Sequence, residues 1–219
     1  MSHACGDQFI SLCRGKRFLI LFFLACLFVL FMHQGSVSAA ESGSSMEAVK
    51  ETIDQVLAIL ADEKLRKPEH TDERLAALEN VINKRFDYEE MGKRTLGQTW
   101  KKLNAAQQKE FVELFQQFLS NTYAGNIAGI SGAQVEYIKE RGKGKFAGVQ
   151  TKVISEKSEA RLEYRLIRNS STWRVYDVII DGIGLVRNFR AQFGRIIKAS
   201  GFPGLLDKLR SKIAQSPVK

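Results

Sequence analysis

The chain has 219 residues, 44% hydrophobic and 26% charged, with 33 Lys and Arg against 24 Asp and Glu. That apolar content excludes a disordered chain, and 3 Pro and 3 Cys exclude a proline-rich linker and a disulfide-dense scaffold. Cys5, Cys13 and Cys26 all precede any segment with the polarity of a globular domain.

Residues 1–40 have the three parts of a secretory signal. Arg14, Lys16 and Arg17 close a basic stretch, and Phe18 to Met32 is an unbroken apolar run of 15 residues. Small residues follow, ending Ser36-Val37-Ser38-Ala39-Ala40, so cleavage is expected after Ala39 or Ala40. A permanent membrane span needs about 20 apolar residues, which makes an uncleaved anchor the weaker reading. Cys26 does not make a lipoprotein signal, because Phe23 stands where Leu is usual and the apolar run continues past the cysteine.

Residues 41–219 are then one exported domain with no cysteine and a single histidine, His70. Thiol nucleophiles, Cys/His metal clusters and His-based triads are excluded within that domain, and neither a metal nor a cofactor is expected.

In chain order, Met46–Ala61 predicts a helix with Val49, Ile53, Val56, Leu57 and Leu60 on one face. Pro68 breaks the chain. Asp72–Phe86 predicts a second helix and Tyr88–Leu96 a short third. Asn104 is a candidate N-cap, with Gln107 completing a capping box. The helix after it carries Phe111, Leu114, Phe115, Phe118, Leu119 and Thr122 as one stripe. Beyond Gly125 and Gly129 the period falls from 3.6 to 2. Gln134–Lys139, Ala147–Val153, Ala160–Leu166 and Trp173–Ile180 alternate as strands joined by polar turns, an antiparallel meander. Helices return at Ile183–Ala199 and Leu205–Ile213. The sum is an α+β fold: N-terminal helices, a curved antiparallel sheet of four strands or slightly more, C-terminal helices, and an apolar cavity between sheet and helices.

The charge is uneven. Residues 41–181 hold 22 charges of each sign, whereas residues 182–219 hold eight basic residues and only Asp207. On a helix from Ile183, Arg187, Arg190, Arg195 and Lys198 share one side, and Leu185, Val186, Phe189, Phe193, Ile196 and Ile197 the other. That basic side is either a solvated face or a dock for anionic headgroups or acidic partners. No nucleic-acid motif accompanies it.

Catalytic signals are sparse. The pairs Gly142/Gly144 and Gly182/Gly184 lack the rest of a nucleotide loop and read as turns. Asp181 is expected to serve the helix starting near Ile183. One catalytic arrangement stays open: Asp177 with Tyr164 or Tyr176 in an apolar pocket, as in steroid isomerases.

Two stretches carry a family resemblance. The first is Arg85-Phe-Asp-Tyr-Glu-Glu-Met-Gly-Lys-Arg-Thr-Leu-Gly-Gln-Thr-Trp100, followed by the Asn104–Phe111 helix that ends in Thr122-Tyr-Ala-Gly125. The second is Trp173-Arg-Val-Tyr-Asp-Val-Ile-Ile-Asp-Gly-Ile-Gly-Leu-Val-Arg-Asn-Phe-Arg190 with Gln192-Phe193. They resemble the MlaC family of periplasmic lipid carriers, also known as toluene-tolerance auxiliary components. The likeness runs from about Met46 to Ile213. Gly184 departs where Ser is common and Phe189 where Tyr is common, which removes two hydroxyls near the C-terminal helix.

The resemblance implies a monomeric, non-catalytic periplasmic carrier that holds a glycerophospholipid by its acyl tails. It would shuttle cargo between an outer-membrane lipoprotein complex and an inner-membrane MCE-protein/ABC transporter complex, meeting membranes only transiently and supporting outer-membrane lipid asymmetry. The candidate tail-binding residues are Val149, Val153, Leu162, Tyr164, Leu166, Tyr176 and Val178 from strands. Phe115, Phe118, Leu119, Tyr123, Phe189 and Phe193 join them from helices. The same side chains also compose an ordinary core, because core and pocket share one composition. Arg187, Arg190, Arg195 and Lys198 are the candidate partner or headgroup dock. Two other classes stay open: an interaction module or chaperone that buries apolar segments, and the isomerase-like enzyme. The cargo is equally open to a sterol- or hopanoid-like lipid.

Overall fold

Ser44 opens the first helix in a reciprocal capping box: it accepts from the Glu47 N–H at 3.1 Å, and its own N–H donates to the Glu47 carboxylate. The computed structural model describes residues 43–155 and 158–215. The signal reading of residues 1–40 and its cleavage site lie outside the described residues. Among the described residues, no helix is long and apolar enough to cross a membrane.

Helix α1 (Ser45–Ala61) buries Val49, Ile53, Val56 and Leu60, the face its spacing predicts. Helix α2 (Thr71–Arg85) follows a 3-10 turn at Pro68–His70, and α3 (Tyr88–Leu96) is capped by Asp87. Helix α4 (Ala105–Ala128) starts at Asn104, whose side chain accepts from the Gln107 N–H at 2.9 Å while Gln107 reaches back to the Asn104 N–H. It runs through Gly125, where the change of period suggests an earlier stop.

The strands are β1 (Gln134–Lys143), β2 (Phe146–Ile154), β3 (Glu159–Asn169), β4 (Thr172–Ile180) and the two-residue β5 (Ile183–Gly184). They pair antiparallel in chain order, with bulges at Ile138 in β1 and Tyr176 in β4 that bend the sheet. Asp181 and Gly182 both take positive φ in the β4–β5 turn, as a tight two-residue hairpin requires.

Residues Leu185–Gln215 form α5, one helical run broken by the conformation of Gly201. The expected break between two C-terminal helices is therefore a kink. The expected start at Ile183 is corrected to Leu185, because Ile183 and Gly184 pair with Ile180 and Ile179. Asp181 does not serve this helix; its Oδ1 accepts from the Arg161 N–H at 3.0 Å. Asp177 does the capping, accepting the Val186 N–H at 3.0 Å.

Below β5 the β4 edge is covered by the α2–α3 junction. Phe86 bridges Val175, the Asp87 N–H donates to the Val175 carbonyl at 2.8 Å, and Arg85 donates to the Trp173 carbonyl at 2.9 Å. A strand edge that would otherwise invite another chain is thus closed.

Candidate functional site

The apolar candidates fall into two clusters. Phe115, Leu119, Phe189 and Phe193 are buried in a helical cluster built by α3, α4 and α5, with Phe118, Tyr123 and Tyr176 packed against it. Its aromatic rings interlock: Phe115 lies 5.5 Å from Phe111 and 5.7 Å from both Phe189 and Phe193. Val149, Leu166 and Val178 are buried in a second cluster between the sheet and α1, with Leu162 and Tyr164 at its margin. Burial pushes the Tyr164 hydroxyl up to about 12. Val153 is buried on the same strand face but belongs to neither cluster. Tyr176 is separated from its strand neighbours because the bulge at its position turns it away from them.

Two residues, Phe86 and Leu185, pack against both clusters and mark the seam between them. The sequence reading missed α1 as the cover of the sheet. Its stripe of Val49 and Ile53 was visible, but periodicity shows a buried face without naming its partner.

A cleft of about 530 Å³ opens between α3, β4 and the start of α5. Lys93, Arg94, Lys101, Arg165, Arg187 and Arg190 line it, against only Glu90 and Asp177 as acids. Arg94 stacks on the Tyr176 ring at 4.0 Å and pairs with Glu90 at 2.7 Å. Arg190 lies against Gly97, where an added Cβ would stand 2.5 Å from its guanidinium nitrogen; Gly97 also has φ +58°. Among the described residues, Lys101, Arg187 and Arg190 have no carboxylate within ion-pair distance. Asp177 is 4% exposed, and burial raises its carboxyl above the ordinary range, opposed by the Val186 N–H and by Arg165 at 3.8 Å.

Of the four basic residues expected as a dock, Arg187 and Arg190 reach this cleft; Arg195 and Lys198 are exposed farther along α5. Lys93, Arg94, Lys101 and Arg165 went unnoticed in the sequence because residues 41–181 are neutral in sum. Folding concentrates these cations on one side.

The model of the MlaC protein family matches residues 50–211. The chain belongs to the MlaC family. It is 24% identical over 130 residues to the intermembrane phospholipid transport system binding protein MlaC of Haemophilus influenzae. That stretch is 57% of this chain and 61% of the relative. A solved phospholipid-binding protein from Ralstonia solanacearum, in complex with a phospholipid, matches with a TM-score of 0.72 and 27% identity. The match covers 79% of this chain and 98% of that one.

Within this MlaC-family fold, the residues of the isomerase-like reading are divided. Tyr164 is the register partner of Val178 and lies on the inner sheet face, whereas Asp177 pairs with Arg165 and faces the cleft. Asp177 and Tyr176 do share the cleft, but the Asp177 carboxylate is engaged by the α5 backbone. Among the described residues, no group of His, Cys, Asp or Glu is arranged to hold a metal ion.

Proposed function

We propose that this chain is a soluble periplasmic carrier that holds a glycerophospholipid by its acyl tails and moves it between membranes without catalysis. The observation that carries this reading is the likeness to the phospholipid-bound Ralstonia solanacearum protein over 98% of that chain. The relative from Haemophilus influenzae, named for intermembrane phospholipid transport, supports it.

The physical need for a carrier is large. Two acyl chains hold about 30 methylene groups, and exposing them to water costs roughly 24 kcal/mol at about 0.8 kcal/mol each. In this proposal the tails enter along the seam at Phe86 and Leu185 and meet residues of both clusters. Val149, Leu162, Tyr164, Leu166 and Val178 contribute from the sheet, and Phe115, Phe118, Leu119, Tyr123, Phe189 and Phe193 from the helices. Val153 and Tyr176 extend the two sides. The basic cleft, with Arg187 and Arg190 at its centre, faces anionic headgroups or acidic partner surfaces, and Arg195 and Lys198 extend that charge along α5.

The partners that fit are an inner-membrane MCE-protein/ABC transporter complex and an outer-membrane lipoprotein complex, in support of outer-membrane lipid asymmetry. The test is mass spectrometry of an organic extract from protein purified from the periplasm without detergent. About one phospholipid per chain is expected; a clean extract from folded protein overturns the carrier reading and favours an apolar-segment chaperone.

A further inference from the structure

The inner sheet face is apolar apart from Glu140 at its β1 edge, which accepts from the Ser45 hydroxyl of α1, and a group of hydroxyls in the neighbouring row. Thr151 on β2 is 1% exposed, and its hydroxyl has no hydrogen-bond partner. Its register partner on β1 is Tyr137, whose buried hydroxyl also has none. Tyr164 on β3 is the diagonal neighbour of Thr151, since Val149 pairs with Tyr164 and Thr151 with Leu162. Among the described residues the only other buried hydroxyl without a partner is that of Thr95, on α3.

A buried hydroxyl without a partner forfeits the hydrogen bonds that water supplies in the unfolded chain. Val would fill the space of Thr151 without that loss, and Phe would fill that of Tyr137. Thr151 and Tyr137 face each other across the ladder without bonding one another, so the pair is suited to a partner from outside the chain. A neutral acceptor fits there, because each of the two hydroxyls has a proton to donate and the surroundings are apolar.

The polarity along this face has a direction. At its outer edge Lys50 lies 5.6 Å from the Tyr137 ring centroid and pairs with Asp54 at 2.6 Å. Tyr137 and Thr151 come next in register, and Leu162 and Ile180 continue that row across the sheet. A glycerolipid has the same sequence of charged headgroup, ester carbonyls and hydrocarbon.

We infer that Thr151 and Tyr137 form a hydrogen-bonding site for the ester carbonyls of a glycerolipid whose tails lie farther along the inner sheet face. This rests on the carrier reading and adds to it the linkage chemistry of the cargo.

The experiment offers the purified mature protein vesicles of diacyl (ester) phosphatidylglycerol or its dialkyl ether counterpart with chains of equal length. Bound lipid per chain is read by mass spectrometry. The wild type is expected to favour the ester lipid about two- to tenfold, the factor that one net hydrogen bond supplies. Thr151→Val combined with Tyr137→Phe is expected to bring that ratio near one while ether-lipid uptake persists. Thr151→Val alone should melt at the wild-type denaturant concentration or above it, which separates lost recognition from lost fold. Equal uptake of both lipids by the wild type, or an ester preference that survives in the folded double variant, overturns the inference. Uptake of neither lipid by the wild type overturns the carrier reading and the inference with it.

Discussion

In the helical cluster Phe115 is fully buried and meets three other rings, Phe111 on its own helix and Phe189 and Phe193 on α5. Across the seam, Val149 and Leu166 are as deeply buried, yet α1 is the main cover of their cluster, with Phe86 and Leu185 added at the seam, and their sheet face holds hydroxyls with no partner. Burial is equal and cohesion is not. Opening the helical cluster breaks ring contacts between helices, whereas the sheet cluster opens when one helix moves. The first region serves as an anchor and the second as the wall that yields to cargo, because regions with fewer mutual constraints open at lower free energy.

The largest test of that contrast is a pair of truncations. Phe115→Ala should destabilise the protein by about 3–5 kcal/mol, and Ile53→Ala by about 2 kcal/mol, the lower end for such a change. Denaturant midpoints check this, and Ile53→Ala should also quicken lipid exchange. Equal losses with unchanged exchange would mean that the two regions open as one.

Filling the yielding wall should act on cargo more than on fold. Val149→Trp or Val153→Trp is expected to cost about 1–3 kcal/mol through overpacking and to lower bound lipid per chain. A folded variant with undiminished lipid removes that position from the tail site.

The basic cleft adds a third, weaker effect. Arg187→Glu with Arg190→Glu should slow transfer between anionic vesicles several-fold at low salt and converge on the wild-type rate at high salt, where exposed charges are screened. Arg195→Glu with Lys198→Glu, outside the cleft, should do less. Unchanged transfer in both pairs at low salt would leave the basic side as a solvated face.

Much of the fold was legible in the sequence because its elements carry their own periodicity. The alternation of Ala160, Leu162, Tyr164 and Leu166 marks β3, and Asn104 with Gln107 marks the start of α4. Features that depend on tertiary pairing were not legible. Ile183 and Gly184 have no pattern of their own and become β5 only because β4 is beside them. The bulge that separates Tyr176 from Val178 is set by register with β3. For the candidate site, side-chain identity showed what is apolar, but the division into two clusters follows from which helix covers the sheet. Lys93, Arg94 and Arg165 join Arg187 and Arg190 only after folding.

Asp177 is where the two regions are stitched, since it lies on β4 and caps the helix that carries Phe189 and Phe193. Its carboxyl is raised above the ordinary 3.8 first by burial, against the Val186 N–H and Arg165. The folded state therefore holds this proton more firmly than the unfolded chain does. Between 3.8 and the raised value, stability contributed by Asp177 falls as pH rises, and it is flat above that window. Asp177→Asn keeps the Oδ1 acceptor for Val186 and has no proton to lose, so the decline should vanish. The expected gain near neutral pH is small, below the roughly 1 kcal/mol typical of a point substitution. Urea midpoints of both proteins at about pH 3.5 and pH 7 check it, with the two converging at the acidic end. If the variant is instead weaker at neutral pH, the negative charge at the α5 N-terminus outweighs its burial, and the joint between anchor and wall is electrostatic.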